Sequence, residues 1–248
     1  MGSKTRNTYQ QLTIYAVRAA LAAGRRILEF YDKPIAIDYK DDRSPLTAAD
    51  RVAHSEIVRY LQRNTPDISI LSEEGEGIEY DVRRNWDRFW LVDPLDGTKE
   101  FIKRNGEFTV NIALIEACKP VLGVIFVPCR RHLYFACQNS GAYKIDNITS
   151  VRPDSDFGRL LELALPLPLQ VERSKTLRVV GSRSHVSEAF EKYVHSLKSR
   201  TKIVEITPAG SSLKFCLVAE GMADLYPRLG PTMEWDTAAG QAIVESAG

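Results

Sequence analysis

Apolar residues at Leu12, Ala16, Ala19, Ala23, Ile27 and Phe30 recur every third or fourth position, and Pro34 closes the run. That spacing puts one stripe along a single long helix. A second stripe, Val52, Ala53, Ile57, Tyr60 and Leu61, predicts a helix that starts near Thr47 and stops before Pro66. Thr47 with Asp50 three residues later reads as a capping box at its start. Two short β-rich runs follow, 68–71 and 89–92, and each delivers acidic residues where it ends: Ser72-Glu73-Glu74 and Asp93-Pro94.

From residue 108 the pattern becomes a meander. Runs at 108–115, 121–127, 132–136 and 142–145 are broken by Cys118-Lys119-Pro120 and Asn139-Ser140-Gly141. They predict antiparallel pairing with helices packed on one face. Residues 149–173 are poorly periodic and contain prolines, so two parts are expected, 1–150 and 151–248. In the second part strand-like runs at 177–180, 203–206 and 223–226 each precede a helical pattern, starting near 186, 211 and 235. This βαβαβα rhythm predicts a second, parallel or mixed sheet, and the whole reads as α/β (α+β). The last helical run, 237–245, reaches almost to the final residue, so a further C-terminal segment is expected.

Composition narrows the function. Hydrophobic residues at 44% and charged residues at 26% exclude a disordered chain, a collagen and a disulfide miniprotein. Lys and Arg total 33 against 32 Asp and Glu, so no global basic excess recruits nucleic acid. Any ionic function must come from local clustering. Cys118, Cys129, Cys137 and Cys216 form no CxxC pair, which argues against zinc and suits free thiols in a reducing cytosol. The richest apolar stretch, 160–169, holds Glu162, Pro166 and Pro168, so no integral membrane segment is expected. Gln10, Gln11 and Arg18 interrupt what a signal peptide needs, and Arg6 stands where N-myristoylation wants Ser or Thr. A cytoplasmic protein is expected.

The chemistry gathers around Asp93-Pro94-Leu95-Asp96-Gly97-Thr98. Pro94 restricts the backbone, so a turn can bring Asp93 and Asp96 to one side and expose the Leu95 carbonyl. Three hard oxygen donors are what Mg²⁺ or Mn²⁺ takes in preference to zinc. Gly97 allows close backbone approach, and the amides of Gly97 and Thr98 would open any following helix. A solvated Asp-Pro-x-Asp-Gly turn would read the same way locally. Further carboxylates end the preceding strand, Glu73 and Glu74, or begin the last helix, Asp236 in Trp235-Asp236-Thr237-Ala238-Ala239-Gly240. Lys99, Lys103 and Arg104, with Lys214 and Arg228, are cations that could meet an anion or simply be solvated at the surface. Gly181-Ser182-Arg183-Ser184-His185 and Gly210-Ser211-Ser212 each follow a strand and precede a helix, where amides and side chains can meet an anion.

Asp93-Pro94-Leu95-Asp96-Gly97-Thr98 together with Trp235-Asp236-Thr237-Ala238-Ala239-Gly240 resembles the paired signatures of the inositol monophosphatase-like, metal-dependent phosphatases. Within them, the stretches 97–113 and 210–221 look like the 3′(2′),5′-bisphosphate nucleotidases of the CysQ type. The likeness runs from the first helix to the last residue and weakens over 141–176. It implies a layered α/β/α/β/α sandwich and Mg²⁺-dependent removal of the 3′-phosphate from adenosine 3′,5′-bisphosphate, giving AMP in sulfur assimilation. It also implies two or three Mg²⁺ ions, with Mn²⁺ as a substitute. Glu73, Asp93 and the Leu95 carbonyl would hold one ion, and Asp93, Asp96 and Asp236 another. Thr98, oriented by Asp50, would help activate water, which Glu73 also contacts. Gly97, Thr98, His185, Ser211, Lys214, Arg228 and Asp236 would face the substrate. The implied partner is a small nucleotide, with a monomer or homodimer expected and peripheral attachment to the inner face of the cell membrane as an alternative location. Inositol monophosphate or a sugar bisphosphate is the competing substrate, and a non-catalytic regulator the competing class.

Overall fold

The computed structural model describes residues 3–34, 37–39, 45–169, 176–183, 187–198 and 203–248. Helix α1 spans Ser3–Tyr31, strands β1 (Ile37–Tyr39) and β2 (Pro45–Thr47) pair antiparallel, and α2 spans Ala48–Asn64. The capping box is present: Thr47 accepts from the Ala49 N–H at 3.2 Å, and Asp50 accepts from the Thr47 N–H at 2.7 Å. At the other end, the Thr65 hydroxyl donates back to the Leu61 carbonyl at 2.7 Å.

Next come β3 (Ser69–Ser72), α3 (Tyr80–Arg83), β4 (Arg88–Asp96), α4 (Thr98–Ile102), β5 (Thr109–Glu116), β6 (Lys119–Val127), β7 (His132–Cys137), β8 (Gly141–Ile145), α5 (Phe157–Glu162) and β9 (Leu165–Pro166). Strands β3 to β9 form one sheet in chain order, with β3–β4 parallel and every later pair antiparallel. Then come β10 (Leu177–Ser182), α6 (Glu188–Lys198), β11 (Val204–Ala209), α7 (Leu213–Ala219) and α8 (Glu234–Ala247). Strands β10 and β11 pair in parallel as a small second sheet.

Three expectations are corrected. Helices cover both faces of the large sheet. Trp90, Val92, Ile112, Leu114, Val124 and Phe126 point into a core shared with α1 and α2, while Leu91, Ala113, Ile125 and Val127 point into one shared with α7 and α8. Central strands buried on both sides read as continuous apolar runs and leave the second cover invisible in sequence. Strand β4 also continues through Pro94 to Asp96, with a register shift against β5 between Asp93 and Asp96, instead of stopping at Val92. Finally, 223–226 forms only a bridge, Val179 to Leu225, because the Asp224 carboxylate takes the Arg178 N–H at 2.7 Å that a ladder would use.

The layers therefore run α1/α2, large sheet, α7/α8, small sheet, α6, with Val194 and Leu197 of α6 against Val179 and with Val180 and Ala209 facing Leu217 and Val218 of α7. Helix α8 approaches β6 at Gly123, where a Cβ would stand 2.3 Å from the Ala239 carbonyl oxygen and 2.9 Å from the Ala242 Cβ. Both neighbours are fixed by the helix itself, so neither yields cheaply. Gly123→Ala is therefore expected to cost about 3 kcal/mol. In a chain of this size that is a fall in Tm of roughly 6–12 °C. A thermal scan showing no change would refute the close packing. Among the described residues, no helix is long and apolar enough to cross a membrane.

Candidate active site

Parallel pairing of β3 with β4 puts Ser72 beside Val92, so Glu73, the first residue past β3, lies beside Asp93 within β4. The Glu73 N–H donates to the Val92 carbonyl at 3.1 Å and holds that register. Asp93 lies opposite Asn111 of β5 and is 1% exposed. Its Oδ1 accepts the Leu95 N–H at 3.1 Å, which curls the chain after Pro94 back over the carboxylate. Burial pushes the Asp93 carboxyl well above its ordinary range, and Glu73, Asp96 and Asp236 push it the same way. The four carboxylates that the sequence distributes between residues 73 and 236 thus share one electrostatic field.

Asp96 and Asp236 are each held by a single oxygen. Oδ2 of Asp96 accepts from the hydroxyls of Ser211 and Ser212, both at 2.8 Å, and from Asn111 Nδ2 at 3.5 Å. Oδ2 of Asp236 accepts from the Thr232 hydroxyl at 2.8 Å and the Met233 N–H at 3.0 Å, so it caps the start of α8 from within the first turn. Among the described residues, no three acidic, His or Cys side chains close around a metal ion by themselves. The donor chemistry nonetheless fits a hard divalent cation. Every donor is an oxygen, and Mg²⁺ completes its octahedron with waters and phosphate oxygens beside one or two carboxylates. A buried carboxylate ringed by three others is also costly without a positive charge nearby.

Thr98 opens α4 and donates from Oγ1 to Asp50 Oδ1 at 3.1 Å. The other oxygen, Asp50 Oδ2, accepts from the Thr47 amide and hydroxyl at 2.7 and 2.6 Å. Asp50 is buried, which pushes its carboxyl up against the lowering pull of the Thr47 and Thr98 donors. Asp50 thus caps α2 through one oxygen and meets Thr98 through the other. Gly97 has φ +93°, a left-handed backbone that favours glycine, and a Cβ there would lie 3.2 Å from that of Ser211.

Glu73, Asp96, Gly97, Thr98 and Asp236 line a cleft of about 300 Å³ together with Ser182, Ser211, Lys214, Tyr226 and Arg228, while Asp93 and Asp50 lie outside its lining. The Lys214 ammonium is buried, donates to the Ser211 carbonyl at 2.5 Å and sits 5.5 Å over the Tyr226 ring; burial pushes its pKa down. Arg228 is exposed and donates to the Pro231 carbonyl at 3.0 Å. Lys99 lines the cleft as well, whereas Lys103 does not, and Arg104 donates to the Lys33 carbonyl at 2.8 Å. His185 lies outside the described residues. Sequence reasoning missed Asn111, whose Nδ2 also donates to Ser212 Oγ at 2.9 Å, and the support that Ser212 gives Asp96. A lone Asn inside the apolar run Val110-Asn111-Ile112 was the available signal.

A carboxylate cluster drawn from two strands and a helix start, gathered with hydroxyls and cations in a five-layer sandwich, is the architecture of a class. The chain matches the inositol monophosphatase family over residues 8–248 and belongs to it. That family is metal-dependent, generally on Mg²⁺. The chain is 49% identical over 228 residues to a Salmonella typhimurium protein named 3′(2′),5′-bisphosphate nucleotidase CysQ, covering 91% of this chain and 84% of that one. It is 47% identical, with the same coverage, to the protein of that name from Escherichia coli K12. Among solved structures, CysQ from Bacteroides thetaiotaomicron superposes with TM-score 0.88 at 50% identity, covering 97% of this chain and 88% of that one. An inositol monophosphatase from Anabaena superposes with TM-score 0.70 at 26% identity, covering 97% and 83%.

Proposed function

We propose that this protein is a Mg²⁺-dependent phosphomonoesterase that removes the 3′-phosphate of adenosine 3′,5′-bisphosphate, giving AMP and phosphate. The observation that carries the reading is the buried Asp93 carboxylate sharing its surroundings with Glu73, Asp96 and Asp236, a few residues along the chain from Thr98, which Asp50 holds by a hydrogen bond. The 49% identity to a bisphosphate nucleotidase supports the choice of substrate. Residues 1–150 would carry most of the metal ligands, and 151–248 would add Asp236 and the side that meets the nucleoside. A cytoplasmic location suits the substrate.

Glu73, Asp93 and the Leu95 carbonyl would hold one Mg²⁺, and Asp93, Asp96 and Asp236 a second. When bound, a pair of such ions supplies charge neutralisation of the phosphoryl oxygens and a lowered water pKa. The chain does the rest. Thr98 Oγ1 gives its proton to the hydrogen bond with Asp50 Oδ1, so its lone pairs remain to accept from and orient the attacking water. Asp50 cannot turn away, because Thr47 holds its second oxygen. Glu73 offers a further acceptor to the same water. Ser211, Lys214 and Arg228, in the same cleft lining, would meet the nucleotide, with Lys214 and Arg228 supplying positive charge for a phosphate and Tyr226 an aromatic ring.

Phosphate release from purified protein tests this. Adenosine 3′,5′-bisphosphate is expected to be hydrolysed far faster than inositol monophosphate or a sugar bisphosphate, to stop in chelator and to resume with Mg²⁺. Preference for inositol monophosphate would move the substrate within the family. Hydrolysis that ignores chelator would overturn the mechanism, and no hydrolysis of any ester would leave a non-catalytic protein.

A further inference from the structure

Outside the cleft lining lies a buried carboxylate that the mechanism does not use. Glu107 is 7% exposed and stands on the connection between α4 and β5. Its Oε2 accepts from Arg183 Nε at 2.7 Å and from the Gly210 N–H at 2.9 Å. Its Oε1 accepts from Arg183 Nη2 at 2.9 Å and, more loosely, from Arg130 Nη2 at 3.3 Å. One side chain therefore joins the segment after β10, the segment after β11 and the rim of the large sheet. Bidentate, charge-assisted bonds of this kind are strong and directional.

The neighbours of Gly210 explain what the clamp controls. A Cβ on Gly210 would lie 2.7 Å from Glu100 Cγ and 3.0 Å from Glu107 Cβ, so the loop is pressed against this carboxylate. The next residue, Ser211, has φ 52°, a left-handed conformation that costs a non-glycine residue energy and needs support from its surroundings. In that conformation the Ser211 hydroxyl reaches both Asp96 Oδ2, at 2.8 Å, and Thr109 Oγ1, at 2.6 Å. Ser212 follows it onto Asp96. The line from Glu107 to Asp96 thus passes through one backbone amide and one strained serine.

We propose that Glu107 is a positioning residue: by clamping the β10–α6 and β11–α7 connections together it holds Ser211 and Ser212 on Asp96 and fixes how that carboxylate is presented to a metal ion. This rests on the role given to Asp96 above. Burial alone would push the Glu107 carboxyl up, but Arg183, the Gly210 amide and Arg130 outweigh it and hold the group below the ordinary glutamate range. The clamp is therefore ionised at neutral pH. Groups that orient a metal ligand from behind change metal affinity when removed, without touching substrate.

The test is calorimetric titration of the full chain with Mg²⁺, and separately with Mn²⁺, in the parent protein, in Glu107→Gln and in Arg183→Gln. Each single variant is expected to raise the metal dissociation constant by roughly 10- to 100-fold. Activity should recover toward the parent kcat at saturating Mg²⁺. The double variant is expected to add little to either single one, because both break the same link. Should Glu107→Gln fail to fold, Arg183→Gln decides alone. A folded variant with a lowered Tm and unchanged metal affinity would make Glu107 merely structural and overturn the proposal. A parent that binds metal but leaves adenosine 3′,5′-bisphosphate intact would defeat the nucleotidase reading, while the shift in metal affinity would still judge the clamp. A parent that binds neither Mg²⁺ nor Mn²⁺ would end both.

Discussion

Asp93→Asn is expected to lower phosphate release by about 10³-fold or more, since several kcal/mol of transition-state stabilisation pass through the metal site. The same substitution is expected to raise the Tm of the chelated protein. The two effects oppose each other for one physical reason. Asp93 is buried beside three other carboxylates, and without a cation each negative charge in that group disfavours the others. Asn occupies nearly the same volume and still offers an oxygen to the Leu95 N–H, so the curl after Pro94 survives. What disappears is the charge. Kinetics at saturating Mg²⁺ and thermal scans in chelator provide the two readings. Near-parent turnover, or a lower Tm in chelator, would contradict the account of Asp93.

The second large effect belongs to the Asp50–Thr98 pair. Thr98→Ala is expected to reduce kcat by about 10²–10⁴-fold, the usual range for loss of a positioned proton-handling group. KM should change little, and Thr98→Ser should keep most of the rate because the hydroxyl remains. Asp50→Asn is the more revealing variant. Both Asp50 oxygens accept hydrogen bonds, one from Thr98 and the other from the Thr47 amide and hydroxyl. An amide nitrogen facing Thr47 meets the backbone N–H, donor against donor; facing Thr98 it reverses the hydrogen bond, because the hydroxyl rotates to accept and turns its proton elsewhere. Asn can therefore keep the helix cap or the Thr98 bond in its original sense, but not both. The expected result is a stability loss of about 1 kcal/mol if the cap gives way, and otherwise a kcat loss approaching that of Thr98→Ala. The double variant should lose little more rate than Thr98→Ala alone, because the two residues act as a unit. Independent, additive losses would separate Asp50 from the reaction.

Much of this was legible from local pattern. The stripes of α1 and α2 and the Thr47–Asp50 cap needed only near neighbours, and so did the meander from β5 to β8. The acidic run around Pro94 announced oxygen chemistry for the same reason. What escaped was decided by distant partners. Strand β4 continues past Pro94 because β5 lies beside it, and a proline in isolation reads as a stop. The second cover of the sheet was hidden because Leu91 and Trp90 are equally apolar while facing different helices. Ser211 gives no local sign of its left-handed backbone, which follows from its ties to Asp96 and Thr109. Glu107 carries no local sign of its ties. Its partner Arg183 is 76 positions away, a separation that no window along the chain can see.

The position of Asp236 at the start of α8 has a consequence for biosynthesis. Glu73, Asp93 and Asp96 leave the ribosome early, but the fourth member of their field emerges only with the helix that also seals the second core against β6. A nascent chain paused before that helix holds an open sheet face and an incomplete acidic pocket together. Premature release would therefore yield a protein lacking both its packing and its chemistry, rather than a stable fragment with partial turnover.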